Sequence, residues 1–116
     1  MHNLRELKIW LKAMELTKLV YQVVSEFPNE EKFGLTSQIK RSCISIPSNI
    51  AEGAGRNSNK EFIYFLSIAN GSLYELQTQL QLAIDLKLSK ENKVNPLIEM
   101  IIEIQKMNYS FQRKIK

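Results

Sequence analysis

Residues 62–83, FIYFLSIANGSLYELQTQLQLA, decide the fold. Phe62, Leu66, Ala69, Leu73, Leu76, Leu80 and Ala83 follow one another in alternating steps of four and three, the heptad spacing that holds one apolar seam on one face of a helix. At 1.5 Å per residue this stretch makes a rod of about 33 Å, as long as a small bundle is tall. Just before it, Ser58 and Glu61 form an S-x-x-E capping box, so the helix is expected to begin at Asn59. It is expected to run to about Leu88 despite Gly71, which costs about 1 kcal/mol relative to alanine in a helix interior. Ala69, Gly71 and Ser72 make a patch of small side chains where another backbone could approach closely, and packing is the reading given to it.

Three further helices flank this one. Upstream, Leu35, Ile39, Cys43, Ile46, Ile50 and Ala54 recur at fours and threes until Gly53 and Gly55 end the pattern. Pro47 lies inside it, deleting the bond to the Cys43 carbonyl at a cost of about 3 kcal/mol. Because the periodicity carries through the proline, one helix kinked at Pro47 is expected rather than two short ones. At the N-terminal side, Asn3 with Glu6 has the logic of a capping box, so the first helix is expected to start there. Its apolar stripe is read as Leu7, Trp10, Met14, Thr17, Tyr21 and Val24, and Phe27-Pro28 stops it near Glu26. Residues 29–34 read as a loop. Downstream, either Ser89 caps the fourth helix or Asn95 does, with Pro96 in its first turn. Val94, Leu97, Ile98, Ile101, Ile104 and Phe111 form its stripe, and the last residues, Arg113 to Lys116, are expected to fray. Four amphipathic helices with short connections predict an all-α, antiparallel up-down-up-down four-helix bundle, a single domain over residues 1–116.

The composition narrows the function. A net charge of +4 and a pI near 9.2 make contact with phosphates or acidic partners plausible. Cys43 is the one cysteine, so no intrachain disulfide forms, which fits a reducing cytoplasm. The N-terminus has charges within its first apolar stretch, and no run approaches the length that spans a bilayer, so a cytoplasmic protein without membrane contact is expected. The di-metal sites of helical bundles need inward Glu-x-x-His pairs, whereas the one histidine is the terminal His2. Glu52-Gly53-Ala54-Gly55-Arg56 lacks the phosphate-binding loop pattern and follows a helix instead of a strand. Cys43 falls on an apolar stripe, where a small buried hydrophobe is the simpler reading than a nucleophile paired with a mobile His2. The carboxylate pairs Glu30-Glu31 and Glu99 with Glu103 have the setting of a loop and of a solvated helix face. No cofactor, metal or catalytic residue is expected, and the chain is read as no enzyme.

One polar stripe stands beside the apolar one on the second helix: Arg41, Ser45, Asn49 (or Ser48), Glu52 and Arg56. It has two readings. In the first, Ser45, Asn49, Glu52 and Glu75 are a structural polar network. In the second, Lys40, Arg41, Arg56 and Lys60 contact phosphates, since ammonium and guanidinium groups hold a nucleic-acid backbone without reading its sequence. A second basic set, Lys90, Lys93, Lys106, Arg113, Lys114 and Lys116, is read as solubilising. Residues 50–58 also resemble the glycine turn of a helix-turn-helix, but the solid apolar run from Phe62 to Leu66 argues against a groove-entering helix there. The runs Phe62 to Leu66, Ile9 to Leu11 and Met100 to Ile102 put apolar groups around more of each helix than one core needs, which predicts self-association.

The stretch Phe27-Pro28, then Glu30-Glu31-Lys32-Phe33-Gly34-Leu35-Thr36-Ser37-Gln38-Ile39-Lys40-Arg41, then Ser45-Ile46-Pro47-Ser48-Asn49-Ile50-Ala51-Glu52-Gly53, closely resembles the 23S rRNA intervening sequence protein family, also called four helix bundle proteins. The likeness continues through Gly55-Arg56, Lys60-Glu61-Phe62, Phe65-Leu66, Ile68-Ala69 and Gly71 to Leu76, and includes Trp10. Lys40-Arg41 stands where two arginines are common, and Cys43 where a small residue is. The resemblance implies an antiparallel bundle that assembles into a ring-like homopentamer, in a family encoded within bacterial ribosomal RNA genes. A related branch, the accessory variability determinant of diversity-generating retroelements, binds reverse transcriptase and nucleic acid. Two functions are therefore carried forward: a non-enzymatic adaptor associated with RNA or DNA, and a protein-binding scaffold whose charge only keeps it soluble.

Overall fold

Periodic apolar side chains become four α-helices in the computed structural model, which describes residues 2–116: α1 (Lys8–Val24), α2 (Leu35–Ala54), α3 (Asn59–Asp85) and α4 (Glu91–Ile115). Each packs on the next and α4 returns to α1, closing an up-down-up-down bundle of 43 × 23 × 21 Å. All seven residues of the α3 seam are at most 1% exposed. Ile39, Cys43, Ile46, Ile50 and Ala54 of α2 and Val94, Leu97, Ile101 and Ile104 of α4 are buried against them. Ser58 caps α3, its Oγ accepting from the Glu61 amide at 3.2 Å.

Helix ends and one stripe differ from the expectation. The Asn3 side chain does cap, accepting from the Arg5 amide at 3.1 Å, but it caps a single 3-10 turn, Leu4–Glu6. Leu7 is extended, and α1 begins after it. The buried face of α1 is Ile9, Ala13, Leu16, Val20 and Val24. Leu7, Trp10, Met14, Thr17 and Tyr21 form the neighbouring stripe at the rim. Both stripes recur at helical spacing, so periodicity fits either, and only packing chooses. α3 stops at Asp85, before Leu88, because Lys87 takes φ 61° and the amides of Lys87 and Leu88 turn back to the carbonyls of Ile84 and Ala83 at 3.0 and 2.9 Å. α4 then starts at Glu91 without a side-chain cap, so neither Ser89 nor Asn95 caps it, and Pro96 lies inside the helix. Its C-terminus is helical to Ile115 rather than frayed, held by Asn59 Nδ2 donating to the Ile115 carbonyl at 3.1 Å.

α2 runs unbroken through Pro47, as its periodicity indicates. The carbonyl that the proline leaves without its amide partner, that of Cys43, receives the Thr17 hydroxyl from α1 at 3.1 Å; the same hydroxyl lies 2.8 Å from the Ala13 carbonyl. A rim residue of α1 thus offsets part of the proline's cost. Cys43 itself is fully buried, and burial pushes its thiol up to about 11, so it stays protonated at neutral pH and unreactive.

The close backbone approach sits at Gly53, not at Gly71. A Cβ on Gly53 would lie 2.8 Å from Phe62 Cδ1 and 2.9 Å from Phe65 Cβ, whereas one on Gly71 would meet nothing within 4 Å. Ala69 is buried and Ser72 bonds to α2, but Gly71 faces outward and takes no part in the packing.

Two stability measurements follow. In urea denaturation, Gly53→Ala should lose about 1–3 kcal/mol through overpacking, while Gly71→Ala should be neutral or gain up to about 1 kcal/mol from helix propensity. Thr17→Val should lose about 1–3 kcal/mol by stranding the Cys43 carbonyl. In a Pro47→Ala background, where a backbone amide can reach that carbonyl, the same substitution should cost less; an equal cost in both backgrounds would refute the link.

Candidate nucleic-acid interface

Antiparallel α2 and α3 lie side by side along their length, with Gly53 against Phe62 at one end and Ser42 bonded to Glu75 further along. Two helices so paired are not the crossed pair of a helix-turn-helix. The polar stripe resolves into separate pieces. Ser45 Oγ lies 2.8 Å from Ser72 Oγ, and Asn49 Nδ2 donates to the Ser45 carbonyl and hydroxyl at 2.8 and 3.0 Å. Glu75 accepts from Ser42, a residue outside the expected stripe, at 2.9 Å. Glu52 joins neither; it pairs with Arg56 at 3.4 Å. The seam positions are Ser42, Ser45, Asn49 and Gly53, small or amide side chains one step toward the core from the charged ones.

The four basic candidates divide likewise. Lys40 and Arg41 lie thirteen or more residues before the end of α2 at Ala54, about 20 Å along the rod from Arg56 and Lys60. The Lys40 ammonium sits 5.1 Å from the centre of the Tyr21 ring. Arg56 is held by Glu52 at 3.4 Å and Glu61 at 3.9 Å and covers the Phe65 ring at 4.9 Å, so much of its charge is already balanced. Lys60 and Arg41 have no ion-pair partner among the described residues.

Folding gathers other bases around Lys60. The end of the bundle where α1 and α3 begin and α2 and α4 finish is tied together by the His2 amide donating to the Ala54 carbonyl at 3.1 Å and by Asn59 to Ile115. His2 is docked there, its ring 4.8 Å from Phe62, which in turn meets Phe111 at 5.4 Å. Arg5, Lys8, Arg56, Lys60, Arg113, Lys114 and Lys116 converge on this end, all of them exposed. They are seven of the chain's 16 bases, against three of its 12 carboxylates, Glu6, Glu52 and Glu61, so this end alone carries the whole net charge of +4. The rest of the molecule balances to zero. At the opposite end Lys93 is paired with Glu26. The second basic set therefore splits, Lys90 and Lys93 going to the opposite end and Arg113, Lys114 and Lys116 to the basic one.

From the basic end a groove of about 770 Å³ runs between α3 and α4, with Tyr74, Tyr109, Lys106, Asn70 and Gln105 in its wall. Tyr74 and Tyr109 are 58% and 62% exposed. Sequence reading missed these tyrosines; for Tyr109 a signal exists, since it precedes Arg113 by one helical turn, which places cation and ring together. Asn108, buried at a core position of α4, donates to the Leu66 carbonyl at 2.9 Å and fixes the height of α4 against α3. Among the described residues no group of three His, Cys, Asp or Glu side chains could hold a metal, and no helix is long and apolar enough to cross a membrane.

This geometry can be set beside known proteins. The family model of the 23S rRNA-intervening sequence protein matches residues 5–110. A protein of unknown function from the S23 ribosomal protein family of Bacteroides thetaiotaomicron, known from its crystal structure, superposes with a TM-score of 0.83 at 28% identity, over 90% of this chain and 97% of its own. No curated protein matches. With the matched span taking in α1, α2 and α3 whole and most of α4, the chain belongs to the 23S rRNA-intervening sequence protein family.

Proposed function

We propose that the protein is a non-enzymatic, self-associating helical bundle that holds RNA or DNA by its backbone at the basic end. The observation that carries this is the placement of charge: a net +4 is ordinary for a chain of this size, but its confinement to one end of a 43 Å rod makes a local field that attracts phosphates. Arg113, Lys114 and Lys116 supply most of it together with Lys60, Arg5 and Lys8. Lys40 and Arg41 are a smaller, separate basic spot. Self-association is supported by the outward face of α3, where Tyr64, Ile68, Leu82 and Leu86 are 62%, 37%, 44% and 61% exposed. In a ring of copies, such as the homopentamer that the family resemblance implies, several basic ends would act together and weak contacts would multiply. A specific observation also favours the second reading, a protein-binding scaffold: the same α3 face is apolar enough to seat a different protein.

The test is fluorescence anisotropy with labelled RNA and DNA on protein whose mass by light scattering is several times 13.5 kDa. Binding should show little sequence preference and weaken steeply with salt, with a log–log slope of about −3 for some four neutralised phosphates. Lys60→Gln with Lys114→Gln should weaken it about tenfold, Lys40→Gln less, and Lys87→Gln with Lys90→Gln hardly at all. Failure to bind at low salt would leave the scaffold reading, and a stable monomer at micromolar concentration would remove self-association.

A further inference from the structure

We infer that the groove between α3 and α4 is a single-strand site, in which nucleobases stack on Tyr109 and Tyr74; the inference rests on the nucleic-acid reading above and adds which form of nucleic acid is held. Tyr109 and Tyr74 are 62% and 58% exposed in one groove, with Lys106 beside them and no carboxylate in its wall. Arg113 donates from Nη1 to the Tyr109 hydroxyl at 2.9 Å and lies 5.6 Å from the ring centre. That contact holds the ring in place and sets a cation where the phosphate of a stacked base would pass. Exposed aromatic rings beside cations recognise bases with a free face, and every base has one once its strand is unpaired. In a duplex both faces are covered by neighbours, so the tyrosines offer a duplex nothing.

The dimensions fit a short strand. Asn108 stands level with Leu66, and Tyr74 lies eight residues beyond Leu66, about 12 Å along α3, or about four nucleotides at 3.4 Å each. The groove begins one turn from Arg113 and Lys114, so a strand anchored by phosphates at the basic end runs directly into it. Two of its amides are already engaged within the chain, Gln105 with Gln77 and Gln112 with Asn108, each at 2.8 Å. The contact argued here is stacking, which every base offers, so the site is expected to tolerate sequence.

The experiment compares a labelled 12-nucleotide oligouridylate with a 12-base-pair RNA duplex by anisotropy at low salt, on the full chain. The single strand should bind at least tenfold more tightly. Tyr74→Leu and Tyr109→Leu should each weaken single-strand binding about tenfold while duplex binding and the thermal melt stay unchanged, and Tyr74→Phe should retain binding because stacking survives. A 2-aminopurine placed in the strand should change its fluorescence on binding to the wild-type protein and less so with either leucine variant. Equal affinity for strand and duplex with the leucine variants unaffected would overturn the single-strand site and leave the basic-end reading standing. Absence of binding to both would overturn the two together.

Discussion

The α2–α3 seam closes at Gly53, and the rest of the arrangement depends on that contact. With 2.8 Å from a would-be Cβ to Phe62, only glycine lets α2 lie this close to the first turn of α3. Ser42, Ser45 and Asn49 continue the narrow face upward, meeting Glu75 and Ser72 through hydrogen bonds. Such a seam has one register, because a slip would set Phe62 or Phe65 against a bulkier neighbour than glycine. The register fixes the short turn from Gly55 to Ser58, and the turn delivers Arg56 and Lys60 to one end of the rod. Asn108 and Asn59 then hold α4 at the height that puts Arg113, Lys114 and Lys116 beside them.

Function in such a molecule is a matter of where ordinary residues are placed. Cys43 is buried with its thiol held protonated, and His2 rests against Phe62 and Phe111. What the fold does create is a polarity, a basic end with aromatic rings leading away from it and a remainder in which charges cancel. Each basic residue at that end is an unremarkable surface side chain by itself. Their collection from the N-terminal turn, the α2–α3 turn and the end of α4 is a property of the topology.

Much of the fold could be read from the chain, and the reasons for the failures are physical. The α3 seam was legible residue by residue because a sustained heptad pattern leaves one consistent face. α2 was legible too, including its passage through Pro47. The stripe in α1 was not, since Ile9, Ala13, Leu16 and Val20 compete with a parallel set containing the larger Trp10, and hydrophobicity does not say which set meets the other helices. Gly71 has the setting of a glycine within a long helix and Gly53 that of a helix stop, yet it is Gly53 that meets α3; what lies opposite a glycine is not written next to it in the sequence. The end of α3 rests on Lys87 in a conformation that favours glycine, and the start of α4 has no side-chain cap, so neither boundary carried a signal. Of the candidate site, Arg56 and Lys60 were identified, but Arg5, Lys8 and the last turn of α4 joined them only through long-range contacts.

The central claim is that the basic end and the groove leaving it are where nucleic acid lies. Photo-crosslinking of an oligouridylate bearing 4-thiouridine, followed by peptide mapping, tests this most directly. The account predicts crosslinks in the first turns of α3, in the last turns of α4 and at Tyr74, with none between Lys87 and Lys93 despite the three lysines there. Crosslinks centred on Lys87 to Lys93, or spread evenly over all surface lysines and tyrosines, would contradict it.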